Sequence, residues 1–215
     1  MREEIPRAVR LGVAVLAAGA SRRMQQPKML LPWGDTTVLG HLIRVWNGLR
    51  AQQISVVLAA GDEPILRELD ALNFPVENRI SNPDASRGMF SSILCAAQWK
   101  GWQGPLTHIA LVLGDQPHLQ DKTLARLLQF AGEHPDSICQ PSFQGRPKHP
   151  IVFPMGLFAK VEESRHSTLR EFLAESVENI RRVEINDSGL NLDLDYPADY
   201  DKARAHYLRQ QCSGI

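Results

Sequence analysis

Three short, almost wholly apolar runs, at residues 13–17, 54–60 and 109–113, constrain this chain more than anything else in it. Each is soon closed by a glycine, at Gly19, Gly61 and Gly114. Runs of that length and closure suit strands covered on both faces, as in a parallel sheet. Between them lie segments of helical periodicity. Leu39, Leu42, Ile43, Trp46 and Leu49 fall on one stripe behind Thr36 or Thr37, either of which can cap the helix. Further helices are expected over 63–72, 89–99 and 121–134, the last capped by Asp121, with a weak strand near Val76. The alternation reads βαβαβ, so the fold class is α/β with a mostly parallel sheet. Later segments add strands at 137–141 and 151–153, helices at 156–162 and 168–175, an edge strand at 180–185 and a closing helix to about Arg209. With 215 residues, one domain with a sizeable core is expected.

The first strand runs into a loop that places Gly19, Arg22, Arg23 and Lys28 close together. Glycine permits close approach of a ligand, clustered N–H groups make an anion-binding concavity, and the cations neutralise charge, so the loop suits a polyphosphate. A solvated basic turn would have the same composition. Residues 82–88 read as a loop, and the helix behind it carries Ser91 and Ser92 in its first turn, either as ordinary capping groups or as donors to a ligand beyond the helix N-terminus. Asp115 follows the run at 109–113, just behind Gly114. A carboxylate there needs a cation, either a basic side chain or, beside a phosphate cradle, Mg²⁺. Asp193 and Asp195 lie two apart in an extended segment, pointing the same way while Leu192 and Leu194 point inward. Asp195 has a second explanation as a cap of the closing helix; Asp193 has none, which makes it the stronger candidate for a second metal ligand.

Composition narrows the partners. Lysine plus arginine balance aspartate plus glutamate at 24 each, which argues against a broad nucleic-acid or anionic-membrane surface. Cys95, Cys139 and Cys212 are odd in number and far apart, as suits reduced thiols in the cytoplasm. Residues 11–20 have the look of a signal-peptide core, but Glu3 and Glu4 precede them and the basic loop follows. No apolar run reaches the ~18 residues of a membrane span. Neither the P-loop pattern nor G-x-G-x-x-G is present, which disfavours P-loop hydrolases and dinucleotide redox folds, and His108, His118, His134 and His149 are scattered without a catalytic triad.

Leu16-Ala-Ala-Gly-Ala-Ser-Arg-Arg-Met24 with Pro27-Lys28, Gly88-Met-Phe-Ser-Ser92, Leu113-Gly-Asp-Gln-Pro117, His149-Pro-Ile-Val-Phe153 and Asp193-Leu-Asp-Tyr-Pro-Ala-Asp-Tyr200 together resemble the MobA-like nucleotidyltransferases, most nearly their molybdenum cofactor cytidylyltransferase (MocA-type) branch. The resemblance implies a Rossmann-like, three-layer αβα sandwich of the nucleotide-diphospho-sugar transferase kind. It implies an enzyme that uses CTP and Mg²⁺ and transfers a nucleotidyl group to a molybdopterin-type acceptor, with a client molybdoenzyme as a further partner. Leu16, Ala17, Ala18 and Gly19 would line the nucleotide, Arg22 and Lys28 would hold its phosphates, Asn82 and Ser92 would lie on the base side, and Asp115 would hold the metal. The guanylyl branch usually has glycine where this chain has Ala18, which favours CTP. The loop around Arg146 and His149 would face the acceptor. Many relatives have glycine where this chain has Gln25, so a requirement for positive φ there would strain the loop. Two rival functions remain: a relative with GTP or a different phosphate acceptor, and a non-catalytic carrier of the pterin cofactor.

Overall fold

The computed structural model describes residues 9–24 and 26–212. Ten strands and seven helices follow one another in these residues. The first half contains β1 (Leu11–Leu16), the short hairpin β2 (Pro32–Trp33) and β3 (Thr36–Thr37), α1 (Val38–Gly48), β4 (Gln53–Ala59), α2 (Glu63–Ala71), β5 (Arg79–Asn82) and α3 (Met89–Gln98). The second contains β6 (His108–Leu113), α4 (Asp121–Glu133), β7 (Ile138–Phe143), β8 (Arg146–Pro147), β9 (Ile151–Pro154), α5 (Met155–Ala159), α6 (Leu169–Glu175), β10 (Ile180–Glu184) and α7 (Pro197–Cys212).

The main sheet has the order β10-β7-β9-β6-β1-β4-β5, with β8 paired to β7. β9 runs antiparallel to β6 and β7, and β8 antiparallel to β7; the other pairings are parallel. β1 is central and apolar because both of its faces are covered. Val13 and Val15 join one core with Leu39, Leu42 and Trp46 of α1, Ile65 and Leu69 of α2, and Leu124 and Leu127 of α4. Ala14 joins the other, with Phe90 and Ile93 of α3, Phe158 of α5 and Phe172 of α6. Alternate side chains of one strand therefore feed two helical layers, which makes the αβα sandwich.

Local chemistry sets the helix starts. Thr37 accepts a hydrogen bond from the Gly40 amide (3.0 Å), and Thr168 with Glu171 forms a reciprocal capping box on α6. Asp121 turns out to be the first helical residue of α4 rather than its cap; the cap position is Gln120, with no side-chain bond, and Asp121 instead places negative charge in the first turn. The segment at Val76 is a 3₁₀ turn, Val76–Asn78, behind Pro75, and the strand begins only at Arg79. Asn82 consequently ends β5 instead of opening a loop.

Candidate active site

The chain leaves β1, builds β4 and β5 on one side of it, then crosses over to place β6 on the other. Such a reversal opens a crevice at the carboxyl ends of the two strands. Leu16 pairs with Leu113, so Ala17 and Gly114 emerge side by side. The Gly114 amide donates to the Leu16 carbonyl at 3.2 Å. A Cβ at Gly114 would lie 2.6 Å from Met29 Sδ and 2.9 Å from Leu16 O, so glycine is what allows the two strand ends to meet.

The crevice is a cavity of about 280 Å³. Its walls bring together Leu16, Ala17, Ala18 and Gly19 after β1, Lys28 and Met29 from the basic loop, Gly88, Met89 and Ser92 at the start of α3, and Asp115 after β6. A Cβ built on Gly19 meets nothing within 4 Å, so the missing side chain leaves room for a ligand rather than for protein. The loop between is tied by Ser21: its Oγ accepts from the Lys28 amide at 3.1 Å, and its φ of 46° lies in the left-handed region that a non-glycine residue adopts at a cost. The side chain of Arg22 and the whole of Gln25 fall outside the described residues, and with them the expected phosphate contact and the expected strain at Gln25.

The charges converge on Asp115. Lys28 Nζ lies 2.7 Å from Asp115 Oδ2, with only 15% and 20% of the two side chains exposed. The other oxygen, Oδ1, is buried without a hydrogen-bond partner. Asp193 stands nearby although it is 78 residues further on, and its surroundings raise its pKa, first by withdrawing water and then through the Asp115 carboxylate. Gln116 Nε2 donates to Asp193 Oδ1 at 2.8 Å, and the Leu194 amide donates to the Asp115 carbonyl at 3.1 Å, so the late segment is sewn to the β6 exit. Leu194 is fully buried, as the extended alternation requires. Asp195 points away to an exposed ion pair with Arg23 (2.9 Å), whose guanidinium also lies 5.7 Å from the centre of the Tyr196 ring. It does not cap α7.

An orphaned buried oxygen beside a second carboxylate is a donor set that suits a hard divalent cation. No group of three or more His, Cys, Asp or Glu is assembled among the described residues, so such a cation would take its remaining ligands from substrate phosphates and water.

Asn82 sits behind the cavity wall. It is buried, and its Nδ2 donates to both Ser91 Oγ and Ser92 Oγ at 2.9 Å while its Oδ1 accepts from the Asp84 amide at 2.9 Å. Ser91 Oγ also bonds the Gly88 carbonyl at 2.8 Å. Ser92 faces the cavity and Asn82 holds it there.

On the other flank, β7 and β8 form a hairpin whose tip residues, Gln144 and Gly145, both have positive φ (51° and 71°). Glu184 on the edge strand β10 secures the tip by accepting from Ser142 Oγ and the Gln144 amide, each at 2.6 Å. These bonds hold its pKa below the usual carboxylate range. The strand after the tip carries Arg146, exposed, and leads to Lys148, which acts electrostatically on Asp193. Burial pushes the imidazole pKa of His149 down to about 4 against the pull of Asp115, so the ring is neutral at pH 7 and carries an unpartnered, buried Nδ1.

Sequence reasoning passed over Met29, Met89 and the role of Gln116. The first two are apolar residues in loop-to-helix junctions, with no chemical signature. Gln116 did carry a signal, an amide next to a strand-end carboxylate, but its partner lies 77 residues away.

Comparison with known proteins gives the chain's family and fold. The model of the MobA-like NTP transferase domain matches residues 13–180. The molybdenum cofactor cytidylyltransferase of Escherichia coli K12 is 28% identical over 194 residues, which are 90% of this chain and 95% of that protein. The crystal structure of a Mycobacterium tuberculosis Rv0371c homologue from Mycobacterium sp. strain JC1 superposes with a TM-score of 0.74 at 28% identity, covering 94% of this chain and 98% of that one. A nucleotidyl transferase from Methanothermobacter shares the fold, with a TM-score of 0.76 at 19% identity over 93% of this chain and 98% of its own.

Proposed function

The chain belongs to the MobA-like NTP transferase family and is a nucleotidyltransferase, and from that premise we propose that it transfers CMP from CTP to the terminal phosphate of a molybdopterin-type cofactor. The observation that carries the reading is the convergence of the Gly19 loop, Lys28 and Asp115 on one cavity at the β1–β6 reversal. The choice of CTP and of a pterin acceptor is supported by the extent of the likeness to the E. coli cytidylyltransferase and by Ala18 in the cavity wall. Membership of a transferase family weighs against a purely non-catalytic carrier.

In the proposed reaction an oxygen of the acceptor's terminal phosphate attacks the α-phosphorus of CTP, a new P–O–P bond forms, and the bond to the β-phosphate breaks to release pyrophosphate. That oxygen is already anionic at pH 7, so no side chain need act as base. Lys28 and Arg22 neutralise charge developing on pyrophosphate, and the 280 Å³ cavity orients the nucleoside. Asp115 and Asp193 would hold Mg²⁺, which when bound supplies charge neutralisation on the triphosphate oxygens. The loop around Arg146 and His149 would face the acceptor. A cytoplasmic setting goes with this reading; Cys95 and Cys139 are free thiols, and among the described residues no helix is long and apolar enough to cross a membrane.

The deciding experiment mixes the protein with each nucleoside triphosphate in turn, Mg²⁺ and molybdopterin, and measures pyrophosphate. Release with CTP alone is expected. Release with GTP, or only with another phosphate acceptor, would replace this reading with a different member of the family.

A further inference from the structure

Lys28 has a place in the proposed phosphate site, yet in this structure its ammonium is committed elsewhere, 2.7 Å from Asp115. We propose that Lys28 is the resident counter-cation of Asp115 and that it gates the carboxylate: a divalent ion gains Asp115 only when an incoming triphosphate draws the lysine away. The inference rests on the proposed triphosphate and metal site and adds an order of events to it.

The geometry carries the argument. Both side chains are mostly buried, so the pair cannot be loosened by solvent as an exposed pair would be, and separating it without a replacement leaves an uncompensated charge in the cavity wall. A divalent ion at Asp115 would lie against the ammonium, and cation–cation repulsion disfavours the two together. Moving the lysine out of the way therefore requires a second anion within its reach. The triphosphate is that anion, since Lys28 and Asp115 both line the cavity proposed to receive it. Only the side chain has to move. The backbone of Lys28 is pinned by the hydrogen bond its amide donates to Ser21 Oγ at 3.1 Å, and the next residue, Met29, is buried. A lysine ammonium on a four-carbon stem can swing between two anions while its Cα stays in place. Asp115 Oδ1, buried and unpartnered, is the oxygen the ammonium leaves unused, so the carboxylate is only half satisfied until the exchange occurs.

The test uses the full chain and two substitutions, Lys28→Met and Asp115→Asn, with the double variant. Mn²⁺ is the metal probe, read by electron paramagnetic resonance without nucleotide. Lys28→Met is expected to bind Mn²⁺ more tightly than the wild type, by a factor between about 5 and 150, the usual range for coupled sites. CTP binding is then measured in EDTA. Asp115→Asn should tighten it by freeing the lysine, and that gain should vanish in the Lys28→Met background. Equal or weaker Mn²⁺ binding by Lys28→Met overturns the gate, as does a gain from Asp115→Asn that persists without the lysine, since simple charge repulsion would then explain it. If the double variant binds Mn²⁺ as tightly as Lys28→Met does, the metal assignment itself fails, an outcome distinct from failure of the gate. Near-UV circular dichroism checks each fold, and the double variant, which has no unpaired buried charge, supplies the reference if Lys28→Met alone is unstable.

Discussion

Gln116 donates from Nε2 to Asp193 Oδ1 at 2.8 Å, joining the residue next to the central carboxylate to one contributed by the far end of the chain. The bond favours the ionised form of Asp193, whereas water exclusion and Asp115 favour the protonated form. Gln116→Leu should therefore raise the Asp193 pKa further. If the carboxylate holds the metal as proposed, activity should fall as pH drops through that pKa, and the acid limb of the rate profile should move to higher pH in the variant. A loss of about 10- to 100-fold at neutral pH is expected for removal of a residue that orients a proposed metal ligand. A pH profile of pyrophosphate release, with carboxyl NMR on Asp193, measures both. The stability effect has its own sign. A carboxyl group whose folded pKa is raised above the unfolded value destabilises the fold once ionised, so this group's contribution becomes less favourable as pH rises through the folded pKa and is most favourable below the unfolded one.

Asp115→Ala should reduce turnover by at least about 100-fold, in line with loss of a central electrostatic group, while leaving the sheet intact. Pyrophosphate release and far-UV circular dichroism on the same preparation check this. Wild-type turnover by a folded variant would remove Asp115 from the mechanism.

Asn82→Ala tests whether Asn82 supports the site or touches the ligand. Its amide is fully used on Ser91, Ser92 and the Asp84 amide inside the protein. Substitution should cost about 2–3 kcal/mol of stability, because it strands buried hydroxyls, and should raise KM for nucleotide only as a consequence. Urea unfolding alongside KM separates the effects. A raised KM at unchanged stability would place Asn82 on the ligand.

Ala18→Gly removes a methyl group from the cavity wall, at the position on which the proposed choice of CTP rests. It should shift the ratio of kcat/KM for GTP over CTP upward by roughly 10-fold, the scale on which a single apolar group discriminates. Competition between the two triphosphates in one reaction reads the ratio directly.

Glu184→Gln should loosen the hairpin tip that precedes Arg146. The carboxylate accepts from Ser142 and from the Gln144 and Gly145 amides, and its lowered pKa means that its contribution is present above the unfolded value and is lost as pH falls through the folded one. Faster hydrogen exchange at the Gln144 and Gly145 amides is the expected result, with KM rising for the acceptor and not for CTP.

Much of this molecule was legible in the residues taken locally. The runs at 13–17, 54–60 and 109–113 became β1, β4 and β6 because a strand covered on both faces must be apolar on both, and Thr37 capped α1 because its hydroxyl meets the first free amides. The turn at Val76, the first-turn place of Asp121 and the strand-end place of Asn82 were less legible, since element boundaries depend on neighbours that local composition does not name.

What the sequence determined by itself is the set of local commitments: short apolar runs that suit strands covered on both faces, and a glycine-bearing basic loop and a lone aspartate each placed at the end of a strand. Which of those strand ends are adjacent is not a local property. The tertiary structure decided it by placing β6 beside β1 across the reversal of strand order, and so set Lys28 against Asp115 across 87 residues and Asp193 against Gln116 across 77. The physical reason is that strand order is chosen by burial of the whole sheet between two helical layers, and the charges of the site must then find their partners within the arrangement that burial has selected.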